Sequence, residues 1–460
     1  MYDLMIIGAG PGGYEAAIRA AQHGMKVLLF EEKDVGGTCL NRGCIPTKAL
    51  LHAGELLNSI AGAAQWGIHC THQVDINQLY QKKDTVVETL RGGVEMLLKQ
   101  NGIEVVREHA VYAGEGCVQA GGQVYKGQNV LLAAGSRPLL PPIEGLKDSK
   151  RTLTSDDILA SAPPKQKLAI LGGGVIGVEL SAFCLALGIE VVIIEAMPRI
   201  LPLMDKEISQ SVSMNLKKQG AKILTSAKLT KVVDTEEDVA LHLEGKEEPI
   251  YAERLLVAVG RVACTDGLFA NESVIPKMEK GRIVTGQHGE TSLPHLYAVG
   301  DITTGVQLAH AASARGLSVA DYLAGQKVKK GFNLIPSCIY LNPEIASVGL
   351  TDEEAKLRGI QVITSKSLMN ANGRTLIAGS GRGFIKLIAE KSTGKLLGAH
   401  LMCERASDII DECTLAIVNE MTIEDMLSAV RPHPTFVEGM QEALEGFMGQ
   451  AIHAAPAGKK

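Results

Sequence analysis

The run Leu4-Met-Ile-Ile-Gly8-Ala-Gly10-Pro-Gly-Gly13 opens the chain, and Leu168-Ala-Ile-Leu-Gly172-Gly-Gly174-Val-Ile-Gly177 repeats its pattern later. Each begins with four apolar residues that read as a strand. Each passes through Gly-x-Gly-x-x-Gly into a helical stretch, Tyr14 to His23 after the first and Val178 to Leu187 after the second. Each then returns to a strand, Lys26 to Phe30 ending at Glu31 and Glu190 to Ile194 ending at Glu195. Strand, glycine turn, helix, strand and acid is the layout of a dinucleotide-binding βαβ unit. The first glycine makes the turn, the second lets backbone N–H groups approach a pyrophosphate, and the third lets helix pack on strand. The helix N-terminus then supports the anion. Gly8, Gly10 and Gly13 are therefore candidate contacts of one nucleotide, and Gly172, Gly174 and Gly177 of a second. One such pattern alone is weak evidence. Two, each in the right context, leave ordinary glycine turns a poor account.

The carboxylates of Glu31 and Glu195 are expected to accept hydrogen bonds from ribose hydroxyls. Glu32 competes with Glu31, and sequence does not separate them. A 2′-phosphate would be repelled by Glu195, and Met197-Pro198 precedes the nearest cation, Arg199. NAD is expected over NADP at the second turn.

One βαβ unit past the first turn lies Gly36-Gly-Thr-Cys39-Leu-Asn-Arg-Gly-Cys44-Ile-Pro-Thr-Lys48. One helical turn can bring two such sulfurs into bridging range, and thiols at helix starts are acidified and reactive. The alternative is two buried thiols that never meet. The position sets a candidate two-electron dithiol beside a bound cofactor.

Composition bounds the remainder. The chain has 460 residues, 46% of them hydrophobic, and 50 glycines, which suits an α/β protein of several domains. A net charge of −5 gives no reason to expect nucleic acid. Apolar runs such as Lys167 to Val178 are short or broken by glycines, so no membrane span is expected. Met1-Tyr-Asp leads straight into the first strand, which reads as a leaderless chain in a reducing cytoplasm. The other cysteines (Cys70, Cys117, Cys184, Cys264, Cys338, Cys403 and Cys413) form no Cys-x-x-Cys pair, so no metal is expected.

Residues 1–143 read as the first nucleotide domain, closing with Val130-Leu-Leu-Ala-Ala-Gly135-Ser-Arg-Pro138. The proline-rich Pro138 to Pro142 stretch reads as a linker. Residues 144–262 hold the second domain, closing with the similar Leu255-Leu-Val-Ala-Val-Gly260-Arg261. Residues 263–333 contain Leu296-Tyr-Ala-Val-Gly-Asp301, a strand ending in an acid. Residues 334–460 mix strand-like stretches (Ser337 to Leu341, Gly383 to Ala389, Leu396 to Leu401) with helices (Ala406 to Asn419, Ile423 to Val430), an α+β domain. The tail Ala454 to Lys460 is expected to be mobile.

Gly36–Lys48, Tyr297–Asp301 and His433-Pro-Thr-Phe-Val-Glu438 resemble three signatures of the flavin-dependent pyridine-nucleotide disulfide oxidoreductases, and the resemblance covers essentially the whole chain. Within that family the cysteine run is most similar to those of dihydrolipoamide dehydrogenases. The resemblance implies an α/β protein of two Rossmann-like domains, FAD in the first and NAD in the second. A C-terminal α+β domain would join a homodimer, with 263–333 completing the FAD site. It implies a Cys39–Cys44 disulfide, with Cys44 nearer the flavin and Cys39 exchanging with substrate. It implies that Lys48 pairs with Glu179 beside the flavin, that Asp301 binds the ribityl chain, and that His310 lies near the flavin. Gly135 and Gly260 join the expected cofactor contacts. His433, read alone, is a surface His in a proline-rich turn. The resemblance makes it the proton acceptor for thiol–disulfide exchange, oriented by Glu438. Arg431-Pro432 stands where many relatives carry small residues, so the substrate mouth is expected to differ.

The activity implied is oxidation of protein-borne dihydrolipoyl groups by NAD⁺. The partner would be a lipoyl-bearing protein of a 2-oxo acid dehydrogenase, glycine cleavage or acetoin system. Two rivals stand beside it. Another NAD(P)H-dependent flavoprotein disulfide reductase is one, though the last cysteine, Cys413, leaves no C-terminal Cys pair of the kind some of these add. A non-catalytic FAD-binding scaffold subunit is the other.

Overall fold

The computed structural model describes residues 1–328, 334–380 and 382–454. Residue 333, the expected end of the third segment, and tail residues 455–460 lie outside them. The chain divides into two compact units, Met1–Leu171 with Thr230–Phe332, and Gly172–Leu229 with Asn333–Lys460.

In the first unit, strand Tyr2–Ile7 lies between Val27–Phe30 and Gln123–Leu132, with Glu104–Val106 and Leu296–Ala298 outside them, all parallel. The strand of segment 263–333 thus belongs to the first sheet. Side chains alternate along a strand, so Leu4 and Ile6 enter one core with Ala16, Ala17, Val319 and Ala320. Met5 and Ile7 enter another with Tyr112, Val130, Leu132 and Ala298. Burial on both faces is why the opening strand reads as an unbroken apolar run. Helix Pro11–Gln22 begins inside the glycine motif, three residues before the expected Tyr14, because proline suits a first helical position. It packs closely on helix Ala309–Leu323: a Cβ on Gly316 would stand 2.2 Å from Gly12 O.

The two similar domain endings meet each other. Ser136–Pro138 and Arg261–Ala263 form an antiparallel ribbon. Strand Lys167–Leu171, which leads to the second turn, lies beside Arg254–Val257, with Thr152–Leu153 next, all parallel.

In the second unit, helix Val175–Ala186 follows the glycine turn, and strand Glu190–Ile194 pairs in parallel with Lys222–Leu224. A five-stranded antiparallel sheet has the order Ser337–Ile339, Ile345–Gly349, Leu396–Met402, Phe384–Glu390, Val362–Leu368. Helices Ala406–Val418 and Glu438–Gly446 share its core through Ile410, Cys413, Met440 and Leu444, which pack with Leu387 and Leu401. Buried Lys386 is ringed by acids: its Nζ is 2.9 Å from Asp205 and 3.2 Å from Glu207, and also meets Asp352. Among the described residues no helix is long and apolar enough to cross a membrane.

Candidate functional site

The two glycine turns are built alike down to single hydrogen bonds. Gly8 N–H donates to Phe30 O, and Gly172 N–H to Ile194 O, both at 2.8 Å. Ala9 N–H donates to Glu31 Oε2 at 2.8 Å, and Gly173 N–H to Glu195 Oε2 at 2.7 Å. The second carboxylate oxygens accept from Lys33 N–H at 2.9 Å and Met197 N–H at 2.7 Å. Each acid braces the turn that precedes it. Of the two glutamates left open by sequence, Glu31 is the one that braces the turn, while exposed Glu32 meets His109 Nδ1 at 2.8 Å. Arg199 is engaged by Glu353 Oε2 at 2.8 Å and Pro202 O at 3.2 Å.

Protein packing explains some of the glycines and not others. A Cβ on Gly8 would stand 2.4 Å from Ala133 O, and on Gly13 1.9 Å from Gly8 O. Gly177 is buried in its helix. A Cβ on Gly10 would meet nothing nearer than Gly37 Cα at 3.9 Å, and on Gly174 nothing within 4 Å. The middle glycine of each turn leaves open space beside backbone N–H groups at a helix start, which is the cradle a pyrophosphate needs.

The cysteine run sits directly on the first turn. Gly36 N–H donates to Ala9 O at 2.8 Å, and a Cβ on Gly37 would stand 2.6 Å from Gly10 Cα. Cys39 and Cys44 do not share one helical turn, as the spacing suggests. Helix Gly37–Arg42 ends at Gly43, and a second helix, Cys44–Gly62, starts there. A Cβ on Gly43 would stand 2.9 Å from Thr38 O, so glycine lets the two helices close up. Both cysteines are half-buried thiols. The Cys39 thiol is pushed up, first by the neighbouring Cys44 thiol and then by burial, while the Cys44 N–H and the Lys48 ammonium act the other way. Cys44 opens a 19-residue helix, where the dipole favours negative charge. Lys48 lies one turn on along that helix.

Asp301 follows strand Leu296–Ala298 in a 3₁₀ turn. Its Oδ2 accepts from Ser136 Oγ–H at 2.5 Å, and Ser136 Oγ and O accept from Arg261 Nε and Nη2, each at 2.7 Å. Gly135 and Gly260 immediately precede the two ribbon strands, with φ of +71° and +121°. His310 is exposed at the start of its helix. Sequence does not single out Ser136 or Arg261, although the matching domain endings contain both.

In the second unit, Glu179 is 2% exposed and accepts from Tyr340 N–H at 2.9 Å. His433 Nδ1 lies 2.8 Å from Glu438 Oε1. A carboxylate partner makes Nδ1 the donor, leaving the Nε2 lone pair outward on a ring 79% exposed. Glu438 Oε2 accepts from Thr435 N–H at 2.7 Å. Burial works against the Glu438 carboxylate, but Thr435 N–H, the His433 hydrogen bond and the His433 and His453 charges hold it below the usual range. Arg431, expected with Pro432 to make the substrate mouth differ, has a side chain 5% exposed that turns inward to Glu412.

Paired thiols on a nucleotide cradle can carry two electrons, and an oriented imidazole can take a proton. Residues 2–316 match the family described as Pyridine nucleotide-disulphide oxidoreductase, and 335–444 match that family's dimerisation domain. Dihydrolipoyl dehydrogenase of Thermus scotoductus is 40% identical over 460 residues, covering 98% of both chains. Dihydrolipoyl dehydrogenase of Bacillus subtilis is 38% identical over 459 residues, covering 98% of this chain and 97% of its own. Among solved structures, the HOCl-induced flavoprotein disulfide reductase RclA of Escherichia coli is 26% identical with a TM-score of 0.86, over 97% of this chain and 99% of its own.

Proposed function

We propose a dihydrolipoyl dehydrogenase: the chain belongs to the pyridine nucleotide-disulphide oxidoreductase family, and it oxidises protein-borne dihydrolipoyl groups with NAD⁺. The observation that carries this reading is the cysteine run seated on the first glycine turn, with Cys39 and Cys44 as interacting half-buried thiols, in a chain similar end to end to two enzymes of that name.

The open cradle at Gly10 and the Glu31 brace fit FAD at the first turn, with Asp301 and Lys48 as further contacts. Gly174 and Glu195 fit NAD at the second. Bound FAD supplies the two-electron relay between dithiol and nicotinamide. The protein's own groups perform the exchange. A substrate thiolate attacks Cys39 Sγ in the oxidised pair, the Cys39–Cys44 bond breaks, and Cys44 leaves as a thiolate favoured by its helix dipole. The second substrate thiol gives its proton to His433 Nε2 and attacks the mixed disulfide. The substrate closes its own disulfide, and Cys39 is released. Glu438 holds the His433 ring in the accepting tautomer and stabilises the imidazolium that forms.

His433 serves the cysteines of a second subunit in a homodimer. The dimerisation-domain match supports that assembly, as does the outward face of the His433 ring. A cytoplasmic location accords with the unbridged thiols Cys184, Cys403 and Cys413.

The test is NADH formation from NAD⁺ and dihydrolipoamide, then from a reduced lipoyl protein. The reading fails if FAD-loaded protein that reduces ferricyanide with NADH turns over neither.

A further inference from the structure

We propose that Arg431 is the positioning residue of the His433–Glu438 pair, its guanidinium pinning the histidine loop to two helices at once. The inference rests on His433 being the proton acceptor. The loop between helices Ile423–Leu427 and Glu438–Gly446 is largely exposed, with Val430 98% and the His433 side chain 79% exposed. Arg431 runs the other way, its side chain 5% exposed. Nη2 pairs with Glu412 on helix Ala406–Val418. Nη1 donates to Gln441 Oε1 on helix Glu438–Gly446 at 2.5 Å, and to Ala429 O of its own loop at 3.2 Å. Gln441 is itself fixed by Glu445, its Nε2 donating at 2.8 Å.

A buried charge persists only where it is paired. Packing alone is served as well by an apolar side chain. What a guanidinium adds is a rigid planar fork that reaches several acceptors in a set geometry. The fork ties the helix that starts at Glu438 to the loop that carries His433. The far side of the loop has its own anchors. Thr435 N–H donates to Glu438 Oε2 at 2.7 Å, and Asn372 Nδ2 donates to Thr435 O at 2.9 Å. His433 therefore lies midway between a tether at 431 and one at 435. Its hydrogen bond to Glu438 sets how the ring turns, and the tethers set where the ring stands. With Arg431 gone, the bond to Glu438 survives but the ring is held from one side only.

The experiment uses the FAD-loaded dimer. Arg431→Met should lower kcat for dihydrolipoamide oxidation by roughly 10- to 100-fold, the scale of a misplaced catalytic group. KM should change less, and NADH–ferricyanide turnover, which does not use His433, should stay near wild type. Arg431→Lys, with charge but no fork, should recover only part of the loss. Glu412→Gln, which keeps an acceptor, should lose less than Glu412→Ala. Amide hydrogen exchange should accelerate in peptides covering 429–437 and remain unchanged in strand Phe384–Glu390. Should Arg431→Met not fold, Gln441→Leu, which removes one prong, replaces it with the same expectations. Unchanged exchange in 429–437 overturns the proposal, and so does faster exchange with unchanged lipoamide kcat. A wild-type protein inert towards dihydrolipoamide instead refutes the functional reading, and the exchange data still decide whether Arg431 holds the loop.

Discussion

Replacing Glu195 by glutamine tests the reading of the second turn. The carboxylate is 8% exposed and accepts two backbone hydrogen bonds of 2.7 Å each. Glutamine keeps one acceptor oxygen, so the turn loses about one charge-assisted bond, roughly 1.5–3 kcal/mol. The charge is the quantity of interest. Two like charges about 5 Å apart at an effective dielectric near 20 repel by roughly 3 kcal/mol, and a 2′-phosphate brought to the proposed ribose-binding carboxylate meets that penalty. Solvent at the turn reduces it. Glu195→Gln should narrow the NADH over NADPH preference by about 1–3 kcal/mol, a roughly 5- to 150-fold change in the ratio of kcat/KM values. Arg199 does not compensate in the wild type, because Glu353 and Pro202 hold it. Adding Glu353→Ala should free it and narrow the ratio further. The assay is steady-state reduction of ferricyanide with each nucleotide. Glu31→Gln is the internal control, since the same brace at the first turn should affect FAD retention and leave the nucleotide ratio alone. A wild-type preference for NADPH would falsify the argument. A ratio that moves with Glu31→Gln but not with Glu195→Gln would show that the two sites are assigned the wrong way round.

Cys39→Ser and Cys44→Ser should each abolish dihydrolipoamide oxidation while FAD and NADH–ferricyanide turnover persist; near wild-type lipoamide turnover in either variant removes the dithiol from the mechanism. Mixing the inactive variants Cys44→Ser and His433→Ala should restore roughly a quarter of wild-type activity at full subunit exchange, since half the dimers then carry one intact site. Exchange verified by mass without recovery would place His433 in its own subunit's chemistry or outside it. Burial opposes ionisation of Asp205, but the hydrogen bond and charge of Lys386, with the His400 charge and Glu207 N–H, hold its pKa below the usual carboxylate range. A depressed carboxylate stabilises fully above its unfolded pKa and loses that stabilisation as pH falls through the folded value. Thermal stability should therefore drop below about pH 4. Lys386→Met should cost about 3–5 kcal/mol at neutral pH by leaving Asp205 buried without its partner; a melting curve superimposable on wild type would count against the ion cluster.

Much of the fold was legible because its constraints are local. A glycine turn between an apolar strand and a helix is written in consecutive residues, and the acid that braces it follows one strand later. That is why Gly8 to Glu31 and Gly172 to Glu195 could be read as twins. Choosing Glu31 over Glu32 was not legible, because both neighbours are carboxylates and only the strand's exit direction decides which reaches Ala9 N–H. The Cys39–Cys44 spacing suggested one helical turn, and Gly43 breaks it, because glycine's effect depends on how closely the flanking helices approach. Arg431 reads in sequence only with Pro432, as a departure at the substrate mouth. Its destination is Glu412, on a helix that sequence leaves unconnected to the histidine loop. The Ser136–Asp301–Arg261 chain likewise joins residues distant in sequence, and no local pattern announces such a contact.

The break at Gly43 bears on how the molecule tolerates its own chemistry. In the proposed cycle a covalent link between Cys39 and Cys44 is made and severed at every turnover. Had both sulfurs ridden one continuous helix, each stroke would have strained a ladder of backbone hydrogen bonds. They ride two rods instead, joined at a single residue without a side chain. The longer rod carries Lys48 and continues to Gly62, so the link spans a junction between two hydrogen-bond ladders and lies within neither.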